Sequence, residues 1–119
     1  MSEPKMLVGP EHVVDALRQA MDEGRLGRGY LFSGPTDSTL ATAESLRSAL
    51  HDQHAVFIWE AAEIPPHLVL TLAEALDSMT WPSNFTVVLT TRCPEHLPPW
   101  LRGRLQHFAW PDLYEAAAK

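Results

Sequence analysis

The fold is decided by the stretch Gly29-Tyr30-Leu31-Phe32-Ser33-Gly34-Pro35, an apolar run that ends in a Gly-Pro turn. Short apolar runs bounded by turn residues are typical of buried strands. Thr36 or Asp37 can cap a helix directly after the turn, because short polar side chains accept hydrogen bonds from free backbone N–H groups. The stretch therefore predicts a buried strand, a tight turn and a helix in direct succession.

The same alternation of helix and strand continues on both sides of this stretch. The further predicted elements are a helix from Gly9-Pro10-Glu11 to Gly24, strands at 55–59, 84–91 and 105–110, a helix from Pro65, a helical turn at 98–104 and a helix at 111–118. Strands that alternate with helices favour a parallel sheet covered on both faces. We therefore predict a single α/β domain over residues 1–119, a three-layer sandwich around about four parallel strands.

Composition and charge restrict the class of protein. With 45% hydrophobic and 20% charged residues, the chain is typical of a globular domain rather than a disordered one. The net charge of −6 argues against direct binding to nucleic acid and favours a protein partner, because a basic face supplies most nucleic-acid affinity. The single cysteine, Cys93, has no disulfide partner and indicates a reducing cytoplasm. No run approaches the ~20 apolar residues that span a bilayer, so we expect no membrane contact.

The sequence does not predict a metal site or a catalytic nucleophile. His51 and His54 are three residues apart, but no carboxylate or cysteine completes a ligand set around them. Ser33 lies beside Gly34 without the G-x-S-x-G pattern of a nucleophile elbow. Cys93 has no identifiable base in the sequence. We therefore expect no catalytic residue, no metal and no cofactor.

Two long strings carry a resemblance to a known family. The first comprises Leu7-Val8-Gly9-Pro10-Glu11-His12-Val13-Val14 and Gly24-Arg25-Leu26-Gly27-Arg28-Gly29-Tyr30-Leu31-Phe32-Ser33-Gly34-Pro35, and the second comprises Thr90-Thr91, Pro94-Glu95-His96-Leu97-Pro98-Pro99 and Arg104-Leu105-Gln106-His107-Phe108. Together they resemble the AAA+ ATPase subunits of bacterial clamp loaders, of the DNA polymerase III gamma/tau and delta-prime type. The resemblance implies a minimal, P-loop-like AAA+ core without the family's zinc module, lid or collar domain.

The phosphate loop of that family departs from its pattern in this chain. A working loop has the form G-x-x-x-x-G-K-[ST], in which backbone N–H groups and the lysine bind phosphates and the hydroxyl binds Mg²⁺. Gly34 occupies the first glycine and is followed by Pro35. Thr39, Leu40 and Ala41 stand where the second glycine, the lysine and the hydroxyl are required. We therefore predict a degenerate nucleotide-binding loop.

The second ATPase motif departs as well. The family's strand ends in Asp-Glu-Ala-His, and alignment on Glu60-Ala61 puts Trp59 at the position of the metal-associated aspartate. An indole cannot hold a magnesium-bound water as a carboxylate does. Glu60 still matches the catalytic glutamate. Loss of two separate motifs favours a protein that does not hydrolyse ATP.

One functional residue of the family has a counterpart. Arg104 matches the arginine of the Ser-Arg-Cys segment, which in clamp loaders reaches into the ATP site of a neighbouring subunit and stabilises charge on the phosphate. Gly103 and Leu105 replace the flanking serine and cysteine. The resemblance implies an arginine finger acting in trans; the alternative is an ordinary surface arginine.

The resemblance also implies an exposed sheet edge. Clamp-loader subunits have a further strand beside the one at 55–59, and only a short connector stands in its place here. Val56, Phe57, Ile58 and Trp59 would then form an apolar edge that is covered by the chain's own termini or pairs with another chain, including a second copy. Trp59 and Trp110 are predicted in or near the core. Trp81 and Trp100 lie in proline-flanked loops and are candidates for a partner surface, against local packing over helix ends.

The function expected from these features is non-enzymatic. The chain is expected to be a clamp-loader-like pseudo-ATPase that binds clamp-loader subunits or the sliding clamp, as a regulator or inhibitor of replication, with a phage or mobile element as a speculative origin. Two alternatives stay open. One is residual ATP binding or weak hydrolysis, because Gly34, Glu60 and Arg104 persist. The other is a structural protein that self-associates through the edge strand.

Overall fold

In the computed structural model, residues 7–50, 54–77 and 85–110 are described. The helices and strands are, in chain order, α1 (Glu11–Asp22), β1 (Gly29–Ser33), α2 (Thr36–Leu50), β2 (Ala55–Glu60), α3 (Pro66–Asp77), β3 (Phe85–Thr91), α4 (Pro99–Arg102) and β4 (Gln106–Ala109). The four predicted strands are confirmed, each to within a residue at either end over the described residues. The helix predicted at 111–118 lies outside the described residues.

The four strands form one parallel sheet in the order β2-β3-β1-β4. The decisive stretch of the sequence, β1, lies inside the sheet, where Tyr30 is opposite Val88 of β3 and Gln106 of β4. All five residues of β1 and all seven of β3 are buried, as the apolar runs predict. The prediction that the strand at 55–59 lies at a sheet edge is confirmed, because among the described residues β2 pairs with β3 alone.

Helices cover both faces of the sheet, which confirms the three-layer α/β sandwich. On one face, α1 and α2 pack against alternate strand residues, and the cluster includes Val13, Leu17, Leu46, Tyr30 and Phe32. On the other face, α3 and α4 pack against the intervening strand residues, and this cluster includes Leu72, Leu76, Leu101, Leu31 and Leu89. Successive side chains of a strand point to opposite faces, so a single apolar run supplies both cores.

A small polar network closes the amino end of the sheet. The Thr86 hydroxyl donates to the carbonyl oxygen of Gly27 at 2.8 Å, and Nε2 of His54 lies 2.7 Å from the same hydroxyl oxygen. Since that hydroxyl has a single proton, His54 Nε2 is the donor to Thr86. The backbone N–H of Gly27 in turn donates to the Tyr30 hydroxyl at 2.8 Å. Burial lowers the pKa of His54 below its usual value and raises the pKa of Tyr30.

None of the helices in the described part of the chain combines the length and the hydrophobicity that a bilayer crossing requires.

Candidate functional site

The segment that would wrap phosphate is a two-residue turn. Only Gly34 and Pro35 separate the end of β1 from the start of α2 at Thr36. Thr39 therefore lies in the first turn of the helix, fully buried, with its hydroxyl 3.2 Å from the carbonyl oxygens of Pro35 and Thr36. A phosphate loop instead needs an extended run of free backbone N–H groups between strand and helix. The turn here is too short to provide one.

The residues that follow Thr39 supply no positive charge. Leu40 lies on the outside of α2 with 37% of its surface exposed, and Ala41 beside it is exposed as well. The charged residue in the first turn of α2 is Asp37, which is acidic. A triphosphate at this position would meet a carboxylate and an isobutyl group from α2 in place of a lysine ammonium.

Gly34 serves the packing of Trp110. The backbone of Gly34 has φ +153°, and an added Cβ would lie 2.5 Å from Cβ of Trp110. The indole of Trp110 is buried against Phe32, with ring centroids 4.9 Å apart, and its backbone N–H donates to the carbonyl oxygen of Ser33. The N–H of Gly34 itself donates to the carbonyl oxygen of Thr91 at 2.9 Å. The first glycine of the motif is therefore needed by the fold, and its N–H is already bonded.

A hollow of about 280 Å³ remains beside this turn. It is lined by Ser33, Gly34, Pro35, Arg92, Pro94 and Trp110, among which Arg92 is the charged residue. The sequence motifs do not identify Arg92 as a candidate site residue. Its position directly after β3 was the available signal, because carboxyl ends of parallel strands meet at one edge of the sheet, where α/β proteins bind ligands.

The two residues of the second motif point to opposite faces of the sheet. Glu60 ends β2 and accepts a hydrogen bond from the Thr90 hydroxyl at 3.1 Å, beside a hollow of about 270 Å³ that also includes Cys93 and His96. Trp59 lies on the other face with 43% of its surface exposed. The prediction that Trp59 lies in or near the core is wrong, because α3 leaves the end of the edge strand uncovered. The corresponding prediction for Trp110 is confirmed.

Arg104 is bound to its own chain. Its Nε donates to Oδ2 of Asp77 at 2.6 Å, and a terminal guanidinium nitrogen donates to the carbonyl oxygen of Trp100 at 2.5 Å. Arg104 precedes β4 and therefore lies at the end of the sheet where the parallel strands begin, whereas Gly34 follows β1 at the end where the strands finish. The two residues are at opposite ends of the parallel strands, so Arg104 cannot act on a ligand at Gly34 of the same chain. Trp100 beside it is 42% exposed.

The predicted interface residues of β2 divide between the two faces. Val56 is buried and Ile58 partly buried in the core below α2, because strand alternation turns both inward. Phe57 is 46% exposed on the other face and stacks on Trp59, with ring centroids 6.5 Å apart and ring planes 20° apart. Trp81 lies outside the described residues. Within the described strand β2, Phe57 and Trp59 are therefore the aromatic residues exposed enough to meet a partner.

An apolar groove of about 260 Å³ separates β2 from α3, and we call it the β2–α3 groove. It is lined by Phe57, Trp59, Leu68, Thr71, Leu72, Ala75, Phe85 and Val87. Within the ranges 7–50, 54–77 and 85–110, no group of three or more His, Cys, Asp or Glu side chains is arranged to hold a metal ion.

No protein-family model matches the chain, and no curated protein matches it.

Proposed function

We propose that this chain is a non-enzymatic pseudo-ATPase, an AAA+-like core that binds proteins of the bacterial DNA replication machinery in the cytoplasm. Its partner would be a clamp-loader subunit or the sliding clamp, and it would regulate or inhibit loading by occupying one subunit's place. The observation that carries the proposal is the replacement of the phosphate loop by the turn Gly34-Pro35 and the first turn of α2.

The groups that the phosphate-loop motif would supply are missing or occupied at this turn. The N–H of Gly34 donates to Thr91, the side chain at the lysine position is Leu40, and Ala41 has no hydroxyl for Mg²⁺. Moving a highly charged phosphate out of water is unfavourable unless ion pairs and hydrogen bonds replace its hydration. This turn cannot replace it, and that supports a role other than ATP hydrolysis.

A protein partner is supported by the surface around Arg104, made of Trp100, Arg104 and Asp77. Tryptophan and arginine are the residue types that most often dominate the affinity of protein interfaces. Trp100 is exposed, and the Arg104 guanidinium is hydrogen-bonded at the surface to Asp77 and to the carbonyl oxygen of Trp100. The strings at 24–35 and 90–108 that resemble clamp-loader subunits motivate the choice of replication proteins as partners.

Calorimetry with Mg²⁺ and ATP tests the loss of the nucleotide site. We expect no binding heat at millimolar nucleotide. Micromolar affinity for ATP would overturn the proposal, because it would require a phosphate site that the turn at Gly34 cannot form.

A binding assay with purified clamp-loader subunits and sliding clamp tests the choice of partner. We expect association that weakens by about 30-fold in Trp100→Ala, since an interface tryptophan commonly contributes about 2 kcal/mol or more. Arg104→Ala should also weaken it. The control is Arg47→Ala on α2, an exposed arginine that also has a carboxylate neighbour but lies in the opposite helical layer, and it should have no effect. Absence of any association would reject replication proteins as partners, without bearing on the nucleotide result.

A further inference from the structure

Within the described part of the chain, the backbone groups on the outer edge of β2 have no strand partner. β2 is six residues long and pairs with β3 from Ala55 to Glu60, while no residue of the described ranges pairs with its other side. Natural sheets protect such edges with lysine, proline, bulges or very short strands. Residues 54–60 contain no lysine, arginine or proline, and the register with β3 runs without a bulge. The β2 edge is therefore open to pairing.

The opposite edge of the sheet, formed by β4, is shorter and more polar. β4 has only four residues, and Gln106 and His107 on it are polar and exposed. His12 of α1 reaches over this edge, with Nε2 3.2 Å from the carbonyl oxygen of Ala109. A second chain would therefore pair with β2 in preference to β4.

The side chains beside the open edge are apolar and aromatic. Phe57 and Trp59 are stacked on each other and each is almost half exposed, next to the β2–α3 groove. Leu68, on the groove wall formed by α3, is exposed as well. A chain that pairs with β2 would therefore gain backbone hydrogen bonds and cover an apolar surface in the same contact.

We propose that a second copy of this chain occupies the edge, through antiparallel pairing of β2 with β2 about a two-fold axis. Residues opposite each other in such a pair must come from the same face of the sheet. A two-fold axis at Ile58 meets this condition and places Phe57 of each copy opposite Trp59 of the other. Cross-strand aromatic pairs are among the most favourable in antiparallel sheets. The edge is in this sense complementary to itself.

Charge is compatible with this arrangement. The charged residue of β2 is Glu60, which accepts the hydroxyl hydrogen bond of Thr90. With the axis at Ile58, Glu60 is opposite Val56 of the second copy. The two Glu60 carboxylates then lie four residues apart along the strands, roughly 13 Å. This exceeds the Debye length of about 8 Å at physiological salt, so their repulsion is largely screened.

The aromatic surface supplies part of the area that a stable dimer needs. Full burial of phenylalanine and tryptophan removes about 150–250 Å² each, so the exposed parts of Phe57 and Trp59 leave about 350 Å² of aromatic surface over two copies. Stable interfaces bury about 1,200–2,000 Å² in total. The aromatic pairs would form the centre, and the strands with the rims of both α3 helices the remainder. Because the same edge is used in both copies, the assembly closes at two chains and gives an eight-stranded sheet.

The test is sedimentation equilibrium over a wide range of micromolar concentrations. We expect a monomer–dimer equilibrium whose Kd rises by about 30-fold or more in Phe57→Lys and in Trp59→Lys, since each places an ammonium in the aromatic centre. The matched control is Leu70→Lys on α3, at a leucine that is 65% exposed and does not line the groove. This control should leave the Kd unchanged.

Cross-linking tests the register without relying on a loss of association. In a Cys93→Ser background, Phe57→Cys protein mixed with Trp59→Cys protein should form a mixed disulfide, because those two positions are opposite each other. A parent protein that stays monomeric at high micromolar concentration would overturn the proposal and leave the edge to another segment or partner. The proposal would also be overturned if the parent dimerises, both lysine variants keep its Kd, and the two cysteine variants form no mixed disulfide.

Discussion

The replacement Gly34→Ala tests whether this glycine is kept by packing. Its φ of +153° is strained for any residue with a Cβ, and the new methyl group would lie 2.5 Å from Cβ of Trp110. Backbone strain of this kind costs about 1–3 kcal/mol. Overpacking against a buried side chain costs about 1–3 kcal/mol more. The reduced entropy of the unfolded chain offsets about 0.4–1 kcal/mol. We expect a net loss of about 1–5.6 kcal/mol in the free energy of unfolding, a large part of the stability of a small domain.

Urea unfolding followed by tryptophan fluorescence measures this loss. The matched control is Gly24→Ala, at a glycine that also has positive φ, +68°, but has no atom within 4 Å of the position of an added Cβ. The control should show the backbone strain alone, about 1 kcal/mol after the same entropic offset. Equal losses in the two variants would refute the reasoning, because the contact with Trp110 would then contribute nothing.

Two further predictions concern the polar network at the amino end of the sheet. Burial lowers the pKa of His54 below 6.5, so the stability that neutral His54 contributes is complete above that pH and is lost as the pH falls toward the lower pKa of the folded state. His54→Gln should therefore lose less unfolding free energy than the parent between neutral and mildly acidic pH. An equal or larger loss in the variant, measured by urea unfolding, would contradict this. Tyr30→Phe removes the acceptor for the Gly27 N–H and should destabilise by about 1–2 kcal/mol in the same assay at neutral pH. Burial raises the pKa of Tyr30 above 10.0, so the stability difference between parent and Tyr30→Phe should shrink as the pH rises past that value, and a difference that grows there would contradict the assignment.

The strands of this chain are predictable because their apolar runs are short and bounded by turn residues. β1 shows this directly, since Gly29 and Gly34 bound a run that is buried on both faces of the sheet. Trp59 shows the limit of the same reasoning. Its residue type and its place at the end of a strand favour the core, but whether a helix covers that end depends on where α3 crosses the sheet. Crossing positions are a tertiary property and leave no local pattern.

The candidate site was predictable in what it lacks and not in what replaces it. Comparison with the phosphate-loop pattern is enough to find that Leu40 stands at the position of a lysine. The contact of Gly34 with Trp110 joins residues that are 76 positions apart, and the hydrogen bond of Arg104 to Asp77 joins α3 to the segment before β4. Neither pairing has a spacing signal in one sequence. A single sequence cannot distinguish an arginine that faces solvent from one that is hydrogen-bonded to its own chain.

The order of strands in the sheet has a consequence for synthesis on the ribosome. β1 and β2 are made first, yet β3 lies between them in the finished sheet, and β1 needs β4 on its other side. No two strands made before β3 are neighbours, so the growing chain has no native strand pairing to form until β3 has emerged. Pairing between distant segments is slow because loop closure must precede any gain from contact. Native strand pairing in the nascent chain can therefore begin only when β3 emerges. Before that, the apolar side chains of β1 and β2 can be buried only against helices.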